Sequence, residues 1–462
     1  MRPTLLCLFA VLLWSAGTIS GAELRVGAAA TVINPPPGIP LAGYYSERGS
    51  QGVLDDIYSK AAVLDDGSTK VALIVCDLVS LPRNIVVEAR KLIEQQTGIS
   101  GAHIMISATH SHTGPVLTRA SARDALDGGN SDLSRKYTAE LPALIARSAA
   151  DANKGLTSAR LLYARETESH LSFCRRYWMQ DGTVGWNPGK QNPKVLRPVS
   201  QIDPEVGVLY CETAAKKPLL TYVNFAMHPD TTGGLFVSAD YPGALSRNLA
   251  LYRGPEMLTI FANGACGNIN HVNTHWLDPQ KGTNEANRIG TVLAAAVFKA
   301  YTQLQPASGT ALRVQSEIVE LPLPEVTPEQ VAQARAIAER KDPKTKFLDL
   351  VETFKVLDVN ARAGKPHELE VQVIALGREL AWVSLPGEMF VELGLNIKAA
   401  SPFKQTFIAE LANGSIGYIP NRSAYAEGNY EVLSARCAAG SGEKLVAAAI
   451  RLLDTLYKAA QK

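Results

Sequence analysis

The 462-residue sequence predicts an α/β fold: a layered mixed sheet with flanking helices. Three observations carry this prediction. Continuous apolar runs of strand length alternate with segments of helical spacing, one strand–helix–strand unit is complete in the local pattern, and a late pair of apolar runs joined by a tight turn reads as a hairpin. Composition fits a globular enzyme-sized domain, with 46% hydrophobic residues and 46 Lys+Arg against 44 Asp+Glu for a net charge of +2. That balance, with no Lys/Arg-rich run, leaves no electrostatic footprint for nucleic acid. The 26 Pro and 36 Gly follow no period, which excludes collagen-like and repeat architectures.

At the N-terminus, Arg2 precedes the apolar run from Leu5 to Trp14, and small residues lead to Ala22 before Glu23. This pattern predicts a signal peptide over residues 1–22, a mature domain over 23–462, and a secreted or periplasmic location. A run of about ten apolar residues is too short for a bilayer core that needs about 20. No later stretch is longer, so no transmembrane segment is expected. Beyond the leader, Cys76, Cys174, Cys211, Cys266 and Cys437 are scattered without CxxC spacing. They read as buried small hydrophobes rather than a disulfide framework or a zinc–thiolate site, with one disulfide left open.

From Lys70, KVALIVCDLVS reads as a buried strand, NIVVEARKLIEQQTG as a helix ended by Gly98, and HIMISATHSH as a second strand running into a polar loop. Further strands are predicted at Val206 to Cys211, Leu219 to Ala226 and Met257 to Ala262, with helices near Leu133 to Asn153 and Asn284 to Leu304. Thr327-Pro328-Glu329-Gln330 is a capping box with Pro at the first helical position. It opens a helical insertion over about residues 325–362, between a strand at Leu312 to Leu321 and the hairpin LEVQVIAL-GRE-LAWVS. A last helix covers Glu443 to Lys458. No Pro/Ser-rich linker interrupts the chain, which favours one domain over two.

The histidines carry the chemistry. His110 and His112 in ATHSHTGP, and His228 in NFAMHPD, each follow a strand, where α/β sheets gather their sites. His110 and His112 are spaced i, i+2, and at most one of them is expected to bind a given ion. One of the two is then a ligand and the other is free for acid–base work, unless the loop turns. An HSH tripeptide is also what an ordinary polar loop looks like. Glu388 in SLPGEMF follows the hairpin and a Pro-Gly turn, so it too stands at a strand end. Two His and a carboxylate make a catalytic zinc set with a position open to water. His271 and His275 form a rival i, i+4 pair, without a Glu between them. The loop from Cys174 to Gly189 carries Arg175, Arg176, Trp178 and Trp186, and reads either as a recognition rim or as a loop anchored by its Trp side chains.

ATHSHTGP, NFAMHPD with SADYPG, NGACGNIN, LPGE and GYIPNRSAYAEGNYE occur in this order and together resemble the neutral/alkaline non-lysosomal ceramidases, over the mature chain up to about Tyr457. The resemblance implies one Zn2+ per chain, held by His110, His228, Glu388 and Tyr418. It places His112 next to the ligands near the substrate, Tyr430 as hydrogen-bond donor to the reacting oxygen, Arg175 or Arg176 at the entrance, and Asp240 behind the site. It further implies hydrolysis of an amide in a small-molecule or lipid substrate, compatible with transient contact with a membrane surface. Asn270 stands where the family has a substrate-contacting Ser, and the longer members continue into an immunoglobulin-like domain. An amide is no nucleophile, so Asn270 is expected to shift preference from ceramide toward a more polar amide or a glycan-derived compound. A binding protein on the same scaffold is the third reading, against which the four retained ligands count.

Overall fold

Two mixed sheets packed face to face, with helices on both outer surfaces, make up the computed structural model, which describes residues 24–460 except 341 and 343. The predicted signal peptide lies outside the described residues. The larger sheet contains β1 (Arg25–Val32), β2 (Tyr58–Asp65), β3 (Lys70–Cys76), β4 (Ile104–Ala108), β5 (Thr157–Thr167), β6 (Glu205–Thr213), β7 (Pro218–Phe225) and β8 (Leu258–Asn263). Their order is β8-β7-β6-β5-β1-β2-β3-β4, and a ninth short strand, Gln305–Pro306, pairs with β5 off this path. The β3/β4 and β7/β8 pairs are parallel and the others antiparallel. The smaller sheet, in the order β9-β10-β11-β12, contains β9 (Leu312–Leu321), β10 (His367–Leu376), β11 (Leu380–Ser384) and β12 (Gln405–Ala409). The predicted layered mixed sheet with flanking helices is thus present, with its layers formed by two sheets.

Eight longer helices flank them: α1 (Arg83–Thr97), α2 (Asp132–Lys154), α3 (Asp240–Arg253), α4 (Thr283–Tyr301), α5 (Pro328–Arg340), α6 (Phe347–Ala361), α7 (Val391–Ala400) and α8 (Ser441–Ala459). Alternation within the strands fixes the layers. In β2, Ala61 and Val63 pack with α1 and α2, whereas Ala62 and Leu64 turn to the second sheet. In β6, Val206, Val208 and Tyr210 join the core beneath α3 and α4, and Leu209 and Cys211 the core between sheets. Strands buried on both faces must be apolar throughout, which is why they read as uninterrupted runs. Trp382 and Phe407 stack at 5.5 Å between the sheets, and full burial of a ring such as Phe407 contributes about 1.5–3 kcal/mol.

Local signals in the insertion are realised in detail. Gln330 N–H donates to Thr327 Oγ1 at 3.2 Å and Thr327 N–H to Gln330 Oε1 at 2.8 Å, the reciprocal capping box. The excursion between β9 and β10 forms two helices, α5 and α6, packed on each other. The five cysteines are free and buried. No helix among the described residues is long and apolar enough to cross a membrane.

Candidate metal centre and cleft

Five strands of the two sheets run directly into the segments that build one site. β4 delivers His110 and His112, β7 delivers His228, β8 the loop 264–268, β11 Glu388, and β12 the stretch ending in Tyr418. The loop turns at the HSH pair: His110 sits at φ +74°. Its backbone N–H is held by Leu78 O at 2.9 Å. A left-handed conformation at a non-glycine residue is a strain that surrounding contacts must hold, and such residues gather at functional sites. The turn brings His112 Nε2 to 3.2 Å from His110 Nε2. Gly43, at φ +96°, gives the His112 ring its room, since a Cβ there would lie 2.6 Å from His112 Nδ1.

The imidazoles of His110, His112 and His228 bring their donor atoms within 4.8 Å of one another. Glu388 Oε2 lies 3.3 Å from His110 Nε2 and 3.4 Å from His228 Nε2. Donors about 2.0–2.1 Å from a tetrahedral ion stand about 3.3–3.4 Å apart, so these separations fit a shared metal. The tautomers agree: Nδ1 of His110 donates to Val79 O at 2.7 Å and Nδ1 of His228 to Cys266 O at 2.9 Å, leaving each Nε2 lone pair directed inward. His228 Nε2 and Glu388 Oε2 are buried and make no hydrogen bond, an unfavourable state for polar atoms that a metal ion relieves. Burial, with His110 beside it, holds His112 well below the ordinary imidazole range, and burial with Arg175 does the same to His228. Burial opposes charge on Glu388, yet His110 and His228 hold its carboxyl well below the usual carboxylate range. His110 differs: burial opposes its charge, yet Glu388 beside it raises its pKa above the ordinary imidazole value, so an ion would displace a proton there, whereas neutral His228 and ionised Glu388 already have the states that metal binding requires. Tyr418 pairs with Glu388 in a parallel bridge and, like His110, His112, Glu388 and Tyr430, lines a cleft of about 780 Å³.

Several supports left no signal in the sequence. Asn263, at the end of β8, donates from Nδ2 to Thr109 O at 3.3 Å and accepts from Met227 N–H at 3.2 Å, tying together the two loops that carry His110 and His228. Glu410 accepts from Cys266 Sγ at 2.8 Å and Cys266 N–H at 3.0 Å, and burial pushes its carboxyl up to about 8. Gly267 allows the loop after β8 to lie against the Glu388 strand, because a Cβ would come within 2.4 Å of Glu388 O.

Other sequence candidates fall elsewhere. Arg175 and Arg176 are buried rather than at an entrance: both pair with Glu431, at 2.8 Å each, and Arg176 also with Glu427 at 3.1 Å. Arg175 still reaches the site, its guanidinium 5.4 Å from the Tyr418 ring centre. Asp240 lies outside the cleft lining, where it accepts from the N–H groups of Thr231 and Thr232 and so fixes the loop after His228. Asn270 is likewise outside the lining, its amide bonded to Asn187 Oδ1 at 3.0 Å and to Val272 N–H at 3.0 Å. His271 is buried against Gln280 O while His275 is exposed, so the rival pair does not converge. Trp186 lies against Tyr430 with ring centres 4.4 Å apart and planes tilted by 36°. Phe347, from the start of α6, covers both rings at 5.5–5.8 Å.

No protein-family model and no curated protein matches the chain. Solved structures do. A neutral ceramidase from Pseudomonas aeruginosa aligns with a TM-score of 0.75 and 18% identity over 95% of this chain and 75% of that one. A ceramidase complexed with C2 aligns with a TM-score of 0.74 and 17% identity over 95% of this chain and 76% of that one. The family whose motifs the sequence resembles is thus also the one whose architecture it shares: the fold of this chain is that of the neutral ceramidases.

Proposed function

We propose that this chain is a zinc-dependent amidohydrolase that works outside the cytoplasm, cleaving an N-acyl bond in a small-molecule or lipid substrate. The observation that carries this reading is the convergence of buried His110 and His228 on Glu388, with His112 beside them and two orphaned donor atoms, in a cleft of a ceramidase-type fold. His110, His228 and Glu388, with Tyr418 beside them, would hold the ion. Zinc in such a site supplies Lewis acidity, making water acidic enough to ionise near neutral pH and polarising a carbonyl.

The chain's own groups complete the reaction. Tyr430 lines the cleft, and burial raises its phenol well above the ordinary range. It therefore stays protonated and donates a hydrogen bond to the oxyanion that develops as water adds to the amide carbon. His112, neutral and beside His110, takes a proton from the attacking water and delivers it to the leaving nitrogen as the C–N bond breaks, giving a carboxylic acid and an amine. Arg175, fixed by Glu431, keeps positive charge next to Tyr418.

Elemental analysis of purified protein is expected to give one zinc per chain, with hydrolysis of a medium-chain N-acyl amide abolished by a chelator and restored by zinc. His228→Ala should lose both metal and turnover, by about a thousandfold or more in kcat/KM. Stoichiometric zinc in the double variant His110→Ala/His228→Ala would refute the assignment. The export reading rests on the run from Leu5 to Trp14 and the small residues up to Ala22; N-terminal sequencing of the protein from its native host should begin near Glu23.

A further inference from the structure

Charge is distributed unevenly over the cleft. Outside the donor cluster its lining carries six Lys and Arg side chains against two carboxylates. Pairing neutralises some of them: Arg119 and Arg123 meet Asp124 and Asp127 behind the wall, and Arg436 meets Asp358 at 2.6 Å. Three positive charges remain. Arg362 and Lys365, at the exit of α6, have no carboxylate within 4.0 Å among the described residues, and Arg83 shares the single carboxylate of Glu370 with Arg90. Against these stands only Glu368.

Arg362 is held in place without being neutralised. Its Nε donates to Lys365 O at 3.0 Å and its Nη2 to Pro366 O at 2.5 Å, while Nη1 makes no hydrogen bond among the described residues. Backbone carbonyls fix the plane of the guanidinium and leave its charge and one N–H edge for something else. Arg83 lines the same cleft, bonded to Glu370 on β10 and to Asn413 O. A fixed guanidinium with a free edge beside a lysine is suited to an oxyanion. A neutral amide alcohol offers no charge to match it.

We propose that this wall is an anion subsite, and that the amide substrate carries a carboxylate or a phosphate-type group that Arg362 and Lys365 hold, with Arg83 adding positive charge to the same cleft. The proposal rests on the amidase reading of the same cleft and sharpens it into a substrate class. It also moves substrate selection away from Asn270, whose amide is already bonded outside the cleft.

The test uses the full-length zinc-loaded protein and two matched pairs: N-lauroylglycine against its methyl ester, and ceramide 1-phosphate against ceramide. In at least one pair the anionic member should be preferred by roughly tenfold in kcat/KM, the worth of one charge-assisted contact. Whichever pair responds distinguishes carboxylate from phosphate. The preference should shrink as salt rises, fall toward one in Arg362→Ala/Lys365→Ala, and be kept in Lys365→Arg. The salt dependence of the wild type stands even where the double variant folds poorly. Tryptophan fluorescence titration of the same pairs reads binding without turnover. Tighter binding of the anionic member with no hydrolysis of any amide would keep the subsite and remove the amidase reading. Equal turnover of charged and neutral members, or a preference that survives in the double variant, would overturn the subsite and leave the amidase reading standing.

Discussion

The two ends of the cleft are built on different principles. The donor cluster hangs on backbone hydrogen bonds at the ends of core strands: His110 N–H on Leu78 O, Nδ1 of His110 and His228 on carbonyls, and Glu388 N–H on Gly417 O at 2.9 Å. The outer wall is joined by side chains instead. Asp358 on α6 accepts from Ser121 and Ala122 on one side and from Arg436 on the other, and Phe347 stacks on Trp186 and Tyr430. Backbone anchoring tolerates few changes and fixes atoms to the fraction of an ångström that chemistry needs. Side-chain anchoring on an inserted hairpin can be rewritten without disturbing the sheets, so the inner end should set the reaction and the outer wall the substrate.

If that division holds, the largest effect should come from loosening the inner end without touching a ligand. Asn263→Ala removes the amide that ties Thr109 to Met227 and leaves a buried carbonyl and N–H unpaired. Zinc affinity, read by competition with a chelator on protein shown to be folded by circular dichroism, should fall by about 10–100-fold, as for other groups that orient metal ligands. An unchanged affinity would mean that the His loops hold their geometry by themselves.

A smaller effect is expected from the outer wall. Phe347→Ala takes away the ring that covers Trp186 and Tyr430 but touches no donor atom. Loss of a stacked ring pair, worth about 0.5–1.5 kcal/mol, should raise KM by roughly three- to tenfold with zinc content unchanged. Loss of zinc in this variant would erase the distinction between the two ends.

The same division explains what could be read from the sequence. The strand–helix–strand unit from Lys70, the hairpin around Gly377 and the capping box at Thr327 are local patterns, and each is present. His110, His228 and Glu388 were legible because each directly follows an apolar strand. Strand β1 was not, because RVGAAATV has small residues where a strand usually shows large ones. Nor could periodicity reveal that His112 joins the donors, since that depends on the φ of one residue. Arg175 and Arg176 looked like a rim because Glu431, which buries them, is 255 residues or more away in the chain. The second sheet was hidden for the same reason: strands buried on two faces say that something covers them, not what.

The electrostatics of the outer wall are tested through His367, which lines it and lies 3.1 Å from Arg436 O. Burial, assisted by the positive charges of Arg362 and Arg436, lowers its pKa to about 4. An unfolded histidine titrates near about 6.5, so as pH falls the unfolded chain takes up this proton first. The contribution to stability is therefore complete above about pH 6.5 and is lost as pH falls toward about 4, on the order of 3 kcal/mol in all. Urea unfolding at pH 7 and pH 5 should show a smaller acid loss in His367→Gln, which keeps a donor for the Arg436 carbonyl. Arg362→Ala should raise the His367 pKa followed by NMR, because it removes one of the two cations that hold it down. A His367 that titrates normally in the wild type, or that ignores Arg362→Ala, would mean that the wall does not carry the uncompensated charge on which its difference from the inner end depends.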